Sequence, residues 1–183
     1  MTSARARSSA AADVRALDAD GYRAAIPELA ALIVDAVAGG AGITFLRDVT
    51  IDTAAAWWRS LEPDVASGRT TPFVAISEDG GIVGSTLLVR SIYENSPHRA
   101  EIAKVVVRRS HRRRGLASAL MTAAEERARA DGRWLLVLDT VEGSAAEALY
   151  HALGWHETGV VPNYAMNPDG VPQSATFFWK DLR

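Results

Sequence analysis

The chain has 183 residues, of which 48% are apolar and 23% charged, with a formal net charge of −2 and no cysteine. That length suits one domain with a sizeable core. The near-neutral balance argues against a whole-surface electrostatic partner such as bulk nucleic acid or an anionic membrane, and the missing thiols exclude disulfides, zinc–thiolate sites and thiol nucleophiles.

The opening MTSARARSSAAAD lacks the apolar h-region of a signal peptide, and no apolar run reaches the ~18 residues of a membrane span. Residues 1–12 are therefore expected as a disordered tail, residues 13–183 as a single domain, and the protein as cytoplasmic. DVRAL, Asp13 to Leu17, alternates apolar and polar residues as a short first strand does. From Asp20, DGYRAAIPELAALIVDAVAGG sets Ile26, Leu29, Ala30, Ile33 and Val37 at helical spacing and ends on a glycine pair. This predicts a helix closing near Ala38 with Pro27 in its first turn. DTAAAWWRSLEPDVASG reads as a second helix capped by Asp52 or Thr53, with Trp57, Trp58 and Leu61 on or beside its apolar face.

PFVAIS, GIVGSTLLVRS and RAEIAKVVV are three β-rich runs, the first two joined by the turn EDGG, which predicts an antiparallel meander. A helix from Gly115 to about Ala130, the strand RWLLVLDT, the short helix SAAEALYHAL and two strands around HETGVVP and SATFFWK complete the chain. In the short helix, Ser144 with Glu147 three positions later reads as a capping box and Gly154 as the stop. Leu149 and Leu153 are its expected core contacts, leaving Tyr150 on an adjacent face. The order of elements predicts a mixed α/β fold in which one strand–helix–strand unit interrupts an otherwise antiparallel sheet of about seven strands.

Between the strand ending at Val107 and the helix opening at Gly115 lies RRSHRRR. A helix N-terminus offers unpaired N–H groups and the positive end of the helix dipole, so this turn is a candidate anion cradle. Gly115 permits close backbone approach and Ala117 does not obstruct it, giving R-x-x-G-x-A from Arg112. No Walker A loop occurs, and GGIVGS has the wrong spacing for a dinucleotide fingerprint. The competing reading is a solvated basic turn. Nucleic-acid binding by the same arginines fails on net charge and on the lack of interleaved aromatic residues.

With that turn, the chain resembles the GCN5-related N-acetyltransferase (GNAT) family. Its members carry Gln or Arg, two residues, Gly, one residue, then Gly or Ala between the fourth strand and the following helix, and Arg112, Gly115 and Ala117 fit. The resemblance runs from about Val14 to Trp179. It implies the GNAT fold, a mostly antiparallel sheet flanked by helices and splayed between the fourth and fifth strands. It also implies that backbone N–H groups of Arg112, Arg113, Arg114, Gly115, Leu116, Ala117 and Ser118 hold the pyrophosphate of acetyl-coenzyme A (acetyl-CoA). Val105, Val106 and Val107 would bond its pantetheine arm as an added strand. PHRAEIAKVVV, LDTVEGSAAEALYHALGW and VVPNYAMNPDG look closest to the tabtoxin-resistance acetyltransferases.

Acetyl transfer from a thioester to an amine needs a base for the ammonium proton and an acid for the departing thiolate. Glu101, near the start of the fourth strand, and Asp139, at the end of the fifth, occupy the positions of the proposed catalytic carboxylates of the tabtoxin-resistance group. The plainer readings are a solvent-facing strand residue and a strand-end carboxylate bonded to a nearby backbone N–H. The family's general acid is a tyrosine followed four residues later by Gly and then Phe or Trp, a setting that Tyr150, Gly154 and Trp155 match. Many members carry an asparagine seven residues before this tyrosine. Here that position is Gly143, with Ser144 beside it as the substitute pantetheine contact.

His98, His111, His151 and His156 show no metal spacing, so no metal is expected. His98 is either a partner of the Glu101 base or a surface residue. There is no G-x-S-x-G elbow. The expected protein is an acetyl-CoA-dependent N-acetyltransferase acting on the primary amine of a small molecule, an amino-acid-like toxin or antibiotic among the candidates. It is expected as a monomer or homodimer, with no nucleic-acid or membrane partner. The alternatives are a peptide or protein N-acetyltransferase and a non-catalytic acyl-CoA-binding module of the same fold.

Overall fold

The computed structural model describes residues 13–183, and the expected tail over 1–12 lies outside the described residues. Asp18 opens the first helix, α1 (Ala19–Ala38), by accepting the Gly21 N–H on its side chain at 2.8 Å. Because the cap sits there, Pro27 falls inside the helix rather than in its first turn. A proline removes the N–H that would bond the carbonyl four residues earlier. Pro27 and Arg23 both lie on the exposed side, where water can serve that carbonyl.

The next helical stretch also departs from expectation. Thr50, not Asp52 or Thr53, caps α2 (Ile51–Ser60) by accepting from the Thr53 N–H at 3.1 Å. Pro63 then sits in the first turn of a separate short helix, α3 (Glu62–Ala66), after Leu61 has ended α2. Trp58 is fully buried, and its carbonyl accepts the Tyr22 hydroxyl at 2.6 Å.

Seven strands form one sheet: β1 (Asp13–Ala16), β2 (Thr70–Ile76), β3 (Ile82–Arg90), β4 (Arg99–Val107), β5 (Leu135–Val141), β6 (His156–Met166) and β7 (Pro172–Asp181). Their order is β1-β2-β3-β4-β5-β7-β6, and every neighbouring pair is antiparallel except β4 and β5. Those two run parallel because α4 (Leu116–Ala130) crosses between them, the strand–helix–strand unit expected from the sequence. They pair only over Arg99↔Leu135, Ala100↔Leu136 and Glu101↔Val137. Beyond this point β4 stays with β3 as far as Val107 while β5 follows β7. The sheet therefore splays open between β4 and β5, as the GNAT resemblance implied.

One core lies under α1 and α2, built from residues such as Leu29, Ile33, Trp58 and Val106. A second lies under α4 and α5 (Ala145–Ala152) and includes Leu120, Leu136, Tyr150, Trp155 and Phe178. The capping box expected at α5 does not form: Ser144 makes no side-chain cap bond. Glu147 instead accepts the hydroxyl of buried Thr176 on β7, and Ser144 Oγ approaches Thr140 Oγ1 at 3.3 Å. A buried hydroxyl without an acceptor is costly, so the tertiary partner claims the carboxylate. Gly154, at φ 78°, ends α5 as expected.

An ion pair anchors α5 to the sheet. Glu125 on α4, 6% exposed, accepts Lys180 Nζ at 2.7 and 2.9 Å and Trp155 Nε1 at 3.0 Å, while Lys180 also donates to the Leu153 carbonyl at 2.7 Å. Removing one partner of a buried pair strands the other charge and costs about 3–5 kcal/mol. Lys180→Met should therefore lower the unfolding free energy from urea titration by about that amount. Glu125→Gln with Lys180→Met, which keeps an acceptor for Trp155 but no net charge, should recover most of it. Additive losses in the double variant would show that stranded charge is not the cause.

Candidate active site

Past Val107 the chain makes a single 3₁₀ turn, Arg109–His111, and reaches Gly115 at the N-terminus of α4. The arginines here mostly brace the turn. Arg109 bonds the Asp35 carboxylate through both its N–H and its Nε at 2.9 Å, Arg112 Nε bonds the Val107 carbonyl at 3.2 Å, and Arg114 bonds the Ser110 carbonyl at 3.2 Å. Arg113 and Gly115 take left-handed backbone, φ 63° and 79°. Alternating handedness turns successive N–H groups toward a common point, an anion-binding nest. Among the described residues, the N–H groups from Arg113 through Ser118 find no acceptor; the first helical bond here is Ala119 N–H to the Gly115 carbonyl. The Arg112 N–H points to the Arg109 carbonyl at 3.4 Å, so the open run starts one residue later than expected. With the dipole of a 15-residue helix behind it, this exposed turn can hold a diphosphate. Next to it, the β4 edge carrying Val105, Val106 and Val107 has no strand partner on the splay side among the described residues.

Glu101 and Asp139 share one face of the sheet, because Glu101 is in register with Val137 and Asp139 lies two residues further along β5. Both reach solvent, yet the surrounding sheet and side chains limit their hydration. Burial raises the pKa of Glu101, the negative charge of Asp139 adds to it, and Lys104 and Arg99 oppose it. Burial likewise raises Asp139, against the pull of Lys104. On the far side of Asp139 stands its register partner Phe177, with Tyr164 edge-on at 5.1 Å. The Tyr164 hydroxyl is held above its usual pKa by the charge of Asp139 first, then by burial and Glu101. Opposite, Arg47 ties the α1–α2 connection to the β6–β7 hairpin through Asp169 and the Pro168 carbonyl, and Phe45 meets Trp57 edge-on at 6.0 Å.

Tyr150 is the buried residue of α5, 4% exposed, while Leu149 and Leu153 are only half-buried. Leu149 and Leu153 do pack against the core, as expected, but Tyr150 joins them there and is the most deeply buried of the three. Its ring packs on Trp155 and Phe178 at 6.1 and 5.7 Å between centroids. The hydroxyl makes no hydrogen bond among the described residues but is not sealed from solvent. Burial raises its pKa, and the negative charge of Asp139 adds to the shift, so the phenol keeps its proton through the neutral range. Ser144 and Gly143 sit at the turn after β5, at the same end of the splay.

The structure thus brings Asp139 within electrostatic reach of both Glu101 and Tyr150. His98 does not join them as a partner of Glu101: its ring stacks on Trp134 at 4.4 Å. Lys104 and Tyr164, which sequence reasoning passed over, do join. Both lie in segments that carried the family resemblance, Lys104 in PHRAEIAKVVV and Tyr164 in VVPNYAMNPDG, but neither stands at a motif position there. A cavity of about 400 Å³ extends from Glu101 and Val137 toward Arg69, Tyr93 and Arg99.

Residues 46–155, more than half of the chain, match the acetyltransferase (GNAT) family. Solved structures share the whole fold. An N-acetyltransferase from Staphylococcus aureus Mu50 superposes with a TM-score of 0.76 at 20% identity, over 95% of this chain and 100% of that one. A ribosomal-protein-alanine N-acetyltransferase from Brucella melitensis does so at 0.74 and 25%, covering 92% and 99%. A phosphinothricin acetyltransferase from Sinorhizobium meliloti, solved in complex with acetyl-CoA, gives 0.76 and 19%, covering 94% and 89%.

Proposed function

The chain belongs to the acetyltransferase (GNAT) family, and from that premise we propose that it transfers acetyl from acetyl-CoA to the primary amine of a small, amino-acid-like molecule. The observation that carries this reading is the meeting, at the open end of the splay, of two carboxylates with raised pKa and a buried, protonated phenol. Outward from them lies the run of N–H groups at Arg113–Ser118, which would take the pyrophosphate. The edge of Val105–Val107 would take the pantetheine, with Ser144 flanking it.

In this reading Glu101 or Asp139 removes the ammonium proton, the amine attacks the thioester carbonyl directly, and Tyr150 protonates the departing thiolate. The cavity beside Glu101 suits a small acceptor. Arg99, which has no carboxylate within 4.0 Å among the described residues, lines it and offers a place for an anionic group on the same molecule, whereas Arg69 beside it is already paired with Asp64 at 2.7 Å. Such an acceptor fits a relation to the tabtoxin-resistance enzymes and a role against a toxin or antibiotic. Residues 13–183 act in this reading as one cytoplasmic domain. Among the described residues, no helix is long and apolar enough to cross a membrane. The test is free-thiol release from acetyl-CoA across a panel of amines and amino acids. Release with a small amine supports the reading; none with any member of the panel, despite cofactor binding, overturns it in favour of a peptide N-acetyltransferase or a binding module.

The base must be ionised to act. Since burial raises both carboxylates, kcat/KM should climb with pH through a limb above the ordinary carboxylate range. Converting the responsible residue to its amide, by Glu101→Gln or Asp139→Asn, should abolish that limb and cost about 10²-fold in rate. Acetyl-CoA affinity by calorimetry should hold. Profiles unaltered in both variants would leave water or the substrate itself as the base.

A further inference from the structure

Lys104 has φ 55°, left-handed backbone that a lysine adopts only under constraint. The constraint is a β-bulge. Ser85 pairs with Val106 and Leu87 with Ala103, so Thr86 alone on β3 faces both Lys104 and Val105. Two buried hydroxyls of β3 meet the carbonyls that the bulge displaces: Thr86 Oγ1 donates to the Ala103 carbonyl at 3.2 Å and Ser85 Oγ approaches that of Lys104 at 3.4 Å. Ser85 and Thr86 are 1% and 0% exposed, and a sheet interior tolerates such groups only when they are bonded. The bulge is thus built into the sheet.

The bulge sends the Lys104 side chain over the ring of Trp57 on α2, Nζ lying 5.4 Å from the ring centroid. An ammonium on an aromatic face is held by the ring quadrupole. Lys104 has no carboxylate within 4.0 Å among the described residues, although its charge is felt by both Glu101 and Asp139; burial lowers the pKa of its own ammonium, and the charges of those two carboxylates oppose that shift. The other titratable or charged groups in reach of this pair are Arg99 on β4, Tyr150 on α5 and Tyr164 on β6, while α2 presents the Trp57 ring. Two neighbouring carboxylates in a partly dry site favour protonation of one another, and a nearby cation opposes this.

We propose that Lys104 is a positioning residue for the base: seated by the bulge and the Trp57 ring, its ammonium keeps Glu101 and Asp139 ionised near neutral pH while leaving both open to the acceptor. A direct ion pair would occupy the carboxylate oxygens that must receive the proton. The ring holds the cation at a distance where it acts through the field alone. The catalytic consequence rests on the acetyl-transfer reading; the electrostatic role does not.

The test is a carbon-13 carboxyl NMR titration of the full chain, with the two resonances assigned by Glu101→Gln and Asp139→Asn. Lys104→Met and Lys104→Gln should move both midpoints to higher pH, and Lys104→Arg should restore them. In wild type, Nζ of Lys104 must keep its proton throughout the carboxylate titration, a measurement that needs no variant to fold. Midpoints that stay put in the neutral variants, or a lysine that loses its proton first, overturn the proposal whatever the enzyme acetylates. With an acceptor found by the thiol assay, Lys104→Met should lower kcat/KM by about tenfold on the acid side of the profile and less than about twofold on the alkaline plateau. An equal loss at every pH would point to a merely structural role and likewise overturn it. Moved midpoints without thiol release from any amine would sink the acetyl-transfer reading and leave this inference standing.

Discussion

Tyr150→Phe is expected to slow single-turnover acetyl transfer by about 10²- to 10⁴-fold, roughly 3 to 5 kcal/mol of barrier. The variant keeps the ring that packs on Trp155 and Phe178 and deletes one hydroxyl. Because that hydroxyl has no partner among the described residues, its loss removes no internal bond, and stability should shift by no more than about 1 kcal/mol in either direction. A large rate effect with an unmoved melting temperature therefore cannot come from packing. Acetyl-CoA affinity should stay within about twofold of wild type, since an interaction made only as the thiolate departs does not contribute to ground-state binding. The anchor of α5 supplies the control. Lys180→Met loosens the same helix through Leu153 and Trp155, so it should lower stability far more than Tyr150→Phe and rate far less. A Tyr150→Phe rate within about threefold of wild type, with chemistry shown to limit turnover, would remove the general-acid role.

Gly115→Glu should weaken acetyl-CoA binding by at least about 100-fold, the equivalent of nearly 3 kcal/mol. Two costs combine. Gly115 holds φ 79°, where any side chain costs about 1–2 kcal/mol, and a carboxylate would stand beside the N–H groups that are to receive a diphosphate. A Cβ at this position meets nothing within 4 Å, so the fold should survive. Gly115→Ala, which adds strain without charge, should bind with intermediate affinity. By contrast, Arg112→Ala and Arg114→Ala should weaken binding less than Gly115→Glu, because those guanidinium groups already bond carbonyls of the turn itself. Calorimetry with acetyl-CoA distinguishes the cases. Unchanged affinity for Gly115→Glu would move the cofactor site elsewhere, whereas a ranking led by the arginine variants would show that side-chain charge rather than backbone geometry holds the anion.

The sequence by itself determined the order and type of the elements apart from the break at Leu61 that makes α3 a separate helix, the parallel crossover through α4, and the glycine that opens it. These rest on short-range physics: hydrophobic period, β-branched runs, and turn residues that permit left-handed backbone. It also held the family resemblance, because R-x-x-G-x-A needs only one turn of chain to be legible. Where a local preference met a distant partner, the partner prevailed. Glu147 left the expected capping box for Thr176, and Tyr150 turned inward on Phe178, 29 and 28 residues away along the chain.

Only the tertiary structure decided who stands beside Glu101. Lys104 reaches the site through a bulge whose displaced carbonyls are met from β3, by the hydroxyls of Ser85 and Thr86. Tyr164 reaches it through a second irregularity, between Val161 and Ala165 on β6, with Asn163 at φ 54°. A bulge shifts the face on which every following side chain emerges, so simple alternation along β4 or β6 misplaces both residues. Charge in the site is likewise a sum over β4, β5, β6 and α5, and no single stretch of sequence contains that sum.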